Sequence, residues 1–378
     1  MSFSVRFIKK ITDISIAQWA ELANDGSPFL SYEFLSALET FGCVGEEFGW
    51  LPSHLLVEDE GRLVAFMPLY SKFNSYGEFV FDWSWAEAYQ RHGLAYYPKL
   101  VSSIPYTPVS GARVLFAKKA NKAEIFSLIA KTIKERKSFN EHSSFHCLFP
   151  KVEEVEAFEE LGLSRRLGCQ FHWVNAGYES FDHYLSFFTS RKRKNIKKER
   201  KSVAEQGFDF HMLHGDEIEA DMWPVIYEFY KVTFYKKSGA PTFTQAFFEA
   251  IGKALGENFL VNLVSYKGQY VACAIFYRDQ EKLYGRHWGC FEDFNNLHFE
   301  TCYYQGLEYA IKHGLSSFEP GAQGEHKVSR GFLPVETWSV HWINDRTFRG
   351  VIADFLQHEE RYMREYIKDL SESSPFKA

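Results

Sequence analysis

The six cysteines of this chain (Cys43, Cys147, Cys169, Cys273, Cys290 and Cys302) never form a C-x-x-C pair. They read as reduced, cytosolic thiols rather than as a zinc or disulfide framework. Fourteen histidines supply no H-E-x-x-H and no finger spacing, and His298 and Glu300 are out of phase for a joint ligand pair on one helix face. No metal is expected. The G-x-x-x-x-G-K-[ST] loop, the G-x-G-x-x-G turn and the G-x-S-x-G elbow are all missing, which argues against a kinase, a dinucleotide oxidoreductase and a serine hydrolase. No apolar run approaches the roughly 20 residues of a membrane span. The longest candidate, residues 259–277, is broken by Asn262, Lys267 and Gln269. The first residues show no export signal, so a cytoplasmic location is expected.

What is present is a globular mixture. Its 378 residues are 46% hydrophobic and 24% charged, and this length predicts two domains. Aromatic residues reach 18%, which suggests aromatic-lined clefts or broad sheet faces. Charge is distributed unevenly. The net is −6, yet residues 191–201 hold eight cations and one anion, so the rest of the chain carries −13. A solvated helix would account for such a run. A phosphate-rich ligand such as a nucleotide, coenzyme A or tRNA would account for it too. Duplex DNA is not expected, because the acidic remainder would repel it.

An internal repeat organises the chain. Residues 54–70 and 261–277 each read as an apolar strand, a turn closed by Gly61 or Gly268, and a second strand opening with Val-Ala and ending in Tyr. A helical segment precedes each hairpin (31–41 and 244–255). A Trp-bearing strand and another helix are expected after each. Helices are also predicted over 121–140, over 181–205 in two pieces, over 298–313 and over 348–370, with a frayed tail from Ser371. Short strands are predicted at 145–149, 170–174 and 316–318. The expected domains are 1–165, 166–345 with the basic helix at 189–206, and a closing helix and tail at 346–378.

The densest polar constellation follows the strand at 316–318: Glu319, Gln323, Glu325, His326, Lys327 and Arg330, interleaved with Gly321, Gly324 and Gly331. Glutamate or histidine could move a proton here, and lysine with arginine could hold a carboxylate or phosphate. A surface turn with scattered charges is the plain alternative. A second cluster, Arg286, His287 and Trp288, stands at a strand end just before the helix bearing Glu300 and Tyr304. The first copy offers Asp82, Trp83, Tyr97 and Lys99 in the matching place. These strand ends point to a cleft between the domains, although buried tryptophans are often simply core.

Five strings carry a family resemblance: Trp-Ala-x-Ala-Tyr…His-Gly-Leu…Tyr-Tyr-Pro-Lys-Leu (85–100), Pro-x-Thr-Pro-Val-x-Gly (105–111), Tyr-Gly-Arg-x-Trp-Gly-Cys (284–290), Leu-His-Phe-Glu-x-Cys-Tyr-Tyr-Gln-Gly (297–306) and Gly-Ala-Gln-Gly-Glu-His-Lys-x-x-Arg-Gly-Phe (321–332). Over nearly its whole length the chain resembles the bacterial Fem-like family of peptidoglycan biosynthesis or recognition proteins, within the GNAT acyltransferase superfamily. The resemblance implies mixed α/β sheets in two tandem GNAT-like domains. It also implies an N-acyltransferase, since Fem-type relatives move an amino acid from aminoacyl-tRNA to an amine of a cell-wall precursor and other GNAT members use acetyl-CoA. The coenzyme A pattern [RQ]-x-x-G-x-[GA] is matched at 90–95, in the first copy. The second copy lacks it, which favours an aminoacyl-tRNA or another bulky donor.

The expected co-substrate is thus an acyl-CoA or an aminoacyl-tRNA, and the expected acceptor is a small-molecule or peptide amine. On this reading Glu319 or His326 helps deprotonate the amine, and Lys327 with Arg330 holds an anion or the developing oxyanion. Arg286, His287, Trp288, Glu300, Tyr304 and Gln323 line the acceptor pocket. Asp82, Trp83, Tyr97 and Lys99 form a second site or a vestige, and Arg191, Lys192, Lys194 and Lys198 meet donor phosphates. Two competitors stand beside it: a non-catalytic GNAT-like module recognising peptidoglycan fragments or a carrier, and a small-molecule acetyltransferase unconnected with cell walls.

Overall fold

In the computed structural model, residues 3–23, 26–135, 141–236, 239–322 and 324–377 are described. The strands begin with β1 (Phe3–Ile8), β2 (Leu22–Ala23), β3 (Trp50–Pro52), β4 (His54–Asp59), β5 (Arg62–Met67), β6 (Tyr70–Lys72), β7 (Lys99–Ser102), β8 (Leu115–Ala117) and β9 (Ser144–Leu148). They continue with β10 (Ser164–Val174), β11 (Phe208–His214), β12 (Phe259–Tyr266), β13 (Gln269–Arg278), β14 (Lys282–Cys290), β15 (Ser317–Glu319) and β16 (Leu333–Ile343). Two compact units result, residues 1–169 with 336–366 and residues 170–335 with 367–378. The break therefore falls inside β10 rather than at residue 165, because only the apolar end of that strand, 170–174, stands out in the sequence. The closing helix is no separate element either. Its Ile352 and Leu356 join Trp85, Tyr89 and Tyr96 in a hydrophobic cluster of the first unit.

The first unit holds an antiparallel sheet in the order β1-β4-β5-β8-β2 and a mixed array in which β7 and β9 run parallel. Its core follows from the two periodicities. Leu55, Val57, Ala65 and Met67 face inward along the hairpin, and Ile125, Ile129 and Ile133 of the helix Lys122–Glu135 lie against them. The second unit orders its strands β11-β12-β13-β14-β15-β10, with β14 and β15 parallel.

The repeat is visible down to backbone detail. Each hairpin turns on two left-handed residues, Glu60 (φ 49°) with Gly61 (φ 80°) and Lys267 (φ 51°) with Gly268 (φ 77°), the geometry of a type I′ turn. Each also carries a register shift at the same offset from its glycine, between Val57 and Glu58 and between Val264 and Ser265. A generic hairpin would not copy both the turn and the bulge.

Three local expectations are corrected. Residues 83–91 form a helix, Trp83–Arg91, where a Trp-bearing strand end was expected in the first copy. The alternation Trp-Ser-Trp imitates a strand, but the good helix formers after it prevail. The helix expected over 298–313 is interrupted: Leu297–Phe299 leads into a π-helical turn, Glu300–Tyr304, before Gln305–Lys312. The tail is not frayed. The terminal helix runs to Glu372, Pro375 accepts a hydrogen bond from the Thr189 amide, and the Phe376 ring lies 4.8 Å from that of Phe188. The 136–140 end of the helix predicted over 121–140 lies outside the described residues. Among the described residues no helix is long and apolar enough to cross a membrane.

Candidate functional site

Strands β14 and β15 pair in parallel only over residues 282–284 and 317–319, after which β14 runs on to Cys290. Its register against β13 slips here: Ile275 faces His287 and Phe276 faces Gly285, so Arg286 is the extra residue of a bulge. The bulge and the alternation of the strand separate the three neighbours predicted to share a pocket. His287 turns onto the helical face, with its ring 4.9 Å from Tyr230 and 5.5 Å from Phe243. Burial, and then the Arg286 charge, hold its pKa well below the usual imidazole value. It is an aromatic-core histidine here. Trp288 instead stacks edge-on against His298 at 5.3 Å and lines a pocket of about 260 Å³ with Thr233, Lys236, Cys290 and Phe294.

Glu319 ends β15. It is 4% exposed, and its Oε2 has no hydrogen-bond partner among the described residues. Its other oxygen accepts a 3.3 Å bond from Lys282, and His172 Nε2 of β10 lies 3.9 Å from Oε2. Burial, followed by the neighbouring Lys282 and Lys327 charges, lowers the His172 pKa against the opposing pull of Glu319. Lys327 is almost wholly buried, donates to the Gly321 carbonyl at 2.7 Å, and is lowered to about 8, chiefly by burial, with Arg286 adding to the effect. Arg286 is likewise lowered, to about 10, by burial that Tyr277 and Glu319 partly offset. Glu319, Lys327 and Arg286 therefore occupy one electrostatic neighbourhood. His172 and Lys282 escaped the sequence reading. The alternation of Gln170 and His172 with Phe171 and Trp173 along β10 was the available signal. Gln323 lies outside the described residues.

Other members of the loop are engaged internally. Arg330 donates to Tyr304 Oη (3.1 Å), the His326 carbonyl (2.9 Å) and Glu199 (2.9 Å), and its guanidinium stacks 3.5 Å over Phe299. The Tyr304 hydroxyl donates to the other oxygen of Glu199. Glu300 accepts from Arg200, which also binds Glu308 and lies over Phe181. Thus Arg330, Tyr304 and Glu300, expected to meet ligands, grip the helix Ser190–Ala204. They do so through Glu199, the lone acid of its cationic run, and its neighbour Arg200. His326 is exposed, and its ring pairs with the Tyr303 hydroxyl at 3.0 Å.

Anchored in this way, the helix keeps Arg191, Lys192, Arg193, Lys194 and Lys198 without an ion-pair partner among the described residues, whereas Lys197 pairs with Asp182. Cations crowding a helix N-terminal half oppose the macrodipole, and an anionic ligand would relieve that cost. A groove of about 560 Å³ runs beside the helix, lined by Phe181, Lys197, Arg200, Lys201, Phe210 and Glu308 among others.

In the first unit, Lys99 is fully buried, donating to Glu78 (2.8 Å), Ser75 (2.9 Å) and Asp82. Tyr97 reaches the same cluster through Ser75 at 2.8 Å. Burial raises the Asp82 pKa, but Lys99, His146 and the hydrogen bonds outweigh it and bring the group down to about 2. Burial likewise pushes Glu78 up to about 7 against Lys99. Three of the four residues marked in this copy therefore meet in a closed ionic knot. Trp83 does not join them and stays exposed, with its ring 5.1 Å from Tyr76. Among the described residues no group of three metal-binding side chains occurs.

No curated protein matches the sequence. Among solved structures, the C-terminal domain of a protein assigned as a lysylphosphatidylglycerol synthetase from Agrobacterium fabrum is similar at a TM-score of 0.53 and 8% identity, covering 88% of this chain and 92% of that one. FemX is similar at 0.50 and 12% identity, covering 85% and 93%. A conserved protein of unknown function from Bacteroides thetaiotaomicron reaches 0.50 and 12%, covering 89% and 99%. Identities this low speak for the fold alone, and that fold is a tandem GNAT-like one of mixed sheets. At the level of sequence, the model of the FemAB-like family, peptidoglycan biosynthesis/recognition, matches residues 10–378. With nearly its whole length covered, the chain belongs to the FemAB-like family.

Proposed function

We propose that the chain is an N-acyltransferase of peptidoglycan metabolism that joins an activated acyl or aminoacyl group, from an acyl-CoA or an aminoacyl-tRNA, to an amine acceptor in its second unit. One observation carries the reading: Glu319 holds a carboxylate oxygen out of water, without a hydrogen-bond partner among the described residues and with the His172 ring nitrogen 3.9 Å from it, where β14 and β15 part. An amine nucleophile must lose a proton, and a desolvated carboxylate within one water of it can take that proton. The freed lone pair attacks the donor carbonyl carbon, whose C=O electrons move onto oxygen. The adduct then collapses, expelling the thiol or ribose hydroxyl, which recovers a proton. Lys327 and Arg286 add positive field beside Glu319, suited to an oxyanion or a bound carboxylate. The stretch of β14 past Tyr284, free of β15, suits an extended amide-bearing donor arm. Arg191, Lys192, Lys194 and Lys198 of the basic helix, without an ion-pair partner among the described residues, suit its phosphates.

A second reading, a recognition module without turnover, is favoured by the internal engagement of Arg330, Tyr304 and Glu300. Incubation of the protein with a muramyl-peptide precursor and, in turn, a panel of acyl-CoAs and aminoacyl-tRNAs separates the two, with mass spectrometry reading the product. A new amide with any donor supports transfer. Precursor binding without product under every donor overturns it in favour of the module.

A further inference from the structure

The segment joining β6 to the helix Trp83–Arg91 contains Phe73, Tyr76, Phe79, Phe81 and Trp83, and all five rings are between 39% and 69% exposed. Its only two acids, Glu78 and Asp82, are each 2% exposed and turned inward onto Lys99. The outward face of residues 73–83 thus presents aromatic rings and no charge. Such a display is normally a liability in a mobile loop, but this one is fixed. Lys72 donates to the Tyr76 carbonyl (3.1 Å), the Tyr106 amide to the Gly77 carbonyl (3.2 Å) and Arg166 to the Phe81 carbonyl (2.8 Å). Phe79 is held at φ 61°, a left-handed conformation that a bulky side chain adopts only under constraint.

Three of the five rings are phenylalanines, which offer no polar edge for reading sugars or bases. Phenylalanine, tyrosine and tryptophan together, free of exposed acids, match the headgroup–acyl boundary of a bilayer, where rings bury their bodies while hydroxyl and indole groups stay hydrated. We propose that residues 73–83 dock this unit onto a lipid surface by shallow insertion of their rings. The inward-facing Glu78–Lys99–Asp82 knot serves this by hiding the segment's acids and stiffening its base. Because no exposed charge takes part, docking does not require anionic lipid and does not weaken with salt.

The test is flotation of the full-length protein with vesicles of pure phosphatidylcholine, at low and high salt, against the variant Phe73→Ser/Phe81→Ser/Trp83→Ser. The wild type floats equally at both salt concentrations, and the variant loses about ten-fold or more of its partitioning. Thermal melting of the lipid-free variant verifies folding. Should it melt early, the single change Phe81→Ser replaces it and must still lower flotation measurably. Four outcomes overturn the proposal. These are a wild type that stays with the lipid-free fraction, a folded variant that floats as well as the wild type, flotation abolished by salt, or lipid-free self-association that the variant abolishes.

Discussion

Arg330 offers the sharpest separation between a ligand-binding residue and an anchoring one. Its side chain is 7% exposed and bonds a Glu199 carboxylate that is 24% exposed. Truncating one partner of a fully buried pair costs about 3–5 kcal/mol, and the partial exposure of Glu199 places this pair toward the lower end. The bond to the His326 carbonyl and the stack on Phe299 each add about 1 kcal/mol. Arg330→Gln should therefore destabilise the second unit by about 5 kcal/mol, and Glu199→Gln by about 3 kcal/mol. Because they remove one shared interaction, the double variant should fall short of additivity by about 1–2 kcal/mol. Native-state hydrogen exchange on the amides of Ser190–Ala204 is the suitable assay, since a two-unit chain need not unfold in one step. Losses below about 1 kcal/mol that simply add would refute the anchoring role and return Arg330 to the ligand.

Further consequences concern pH and packing. His146 and His341 face each other at 2.6 Å between their Nδ1 atoms, and burial, with Lys99 and Arg166 adding to it, keeps both imidazoles neutral, His146 down to about 3. Asp82 opposes this for His146, and Ser144 and Ser339 complete the polar surround. The unfolded chain binds protons from about pH 6.5 downward while the native His146 resists until about 3, so the contribution of His146 to stability falls as pH drops through that window, by about 4–5 kcal/mol, whereas Glu78, raised to about 7, acts with the opposite sign above about pH 4.5. Urea midpoints of the first unit should therefore shift downward with falling pH more steeply in the wild type than in His146→Gln, and a variant that follows the same pH course would contradict this. Lys327 loses its charge as pH rises through about 8, so affinity for an anionic donor or for inorganic phosphate should weaken there. Titration calorimetry should show that dependence vanish in Lys327→Met, and a pH-independent wild type would count against the role. At Gly331 (φ 89°) a Cβ would stand 1.9 Å from the Tyr184 hydroxyl. Gly331→Ala should therefore cost about 3 kcal/mol or more, measured by denaturant unfolding, with Tyr184→Phe recovering part of it.

Much of the architecture was legible because it rests on short-range rules. The two turn glycines, the Ile125/Ile129/Ile133 face and the Thr244-capped helix all follow from local geometry. The expectation missed at Trp83 arose where a Trp-Ser-Trp alternation and helix propensity disagree. The tail misled because its hold depends on Phe376 finding Phe188, nearly 190 residues away. The candidate site was half legible for a similar reason. Ionisable residues between glycines marked Glu319 and Lys327, but nothing local announces that Arg330 and Tyr304 turn toward Glu199, or that His172 arrives from another strand. The odd acid in the basic run was the one hint of the first of these.

Glu319 is the residue on which the proposed transfer most directly depends. The isosteric Glu319→Gln variant, assayed for amide formation with whichever donor the wild type accepts, should lose about a hundred-fold or more in turnover while donor affinity stays within about two-fold. Turnover equal to the wild type would remove this carboxylate from the chemistry and the proposed mechanism with it.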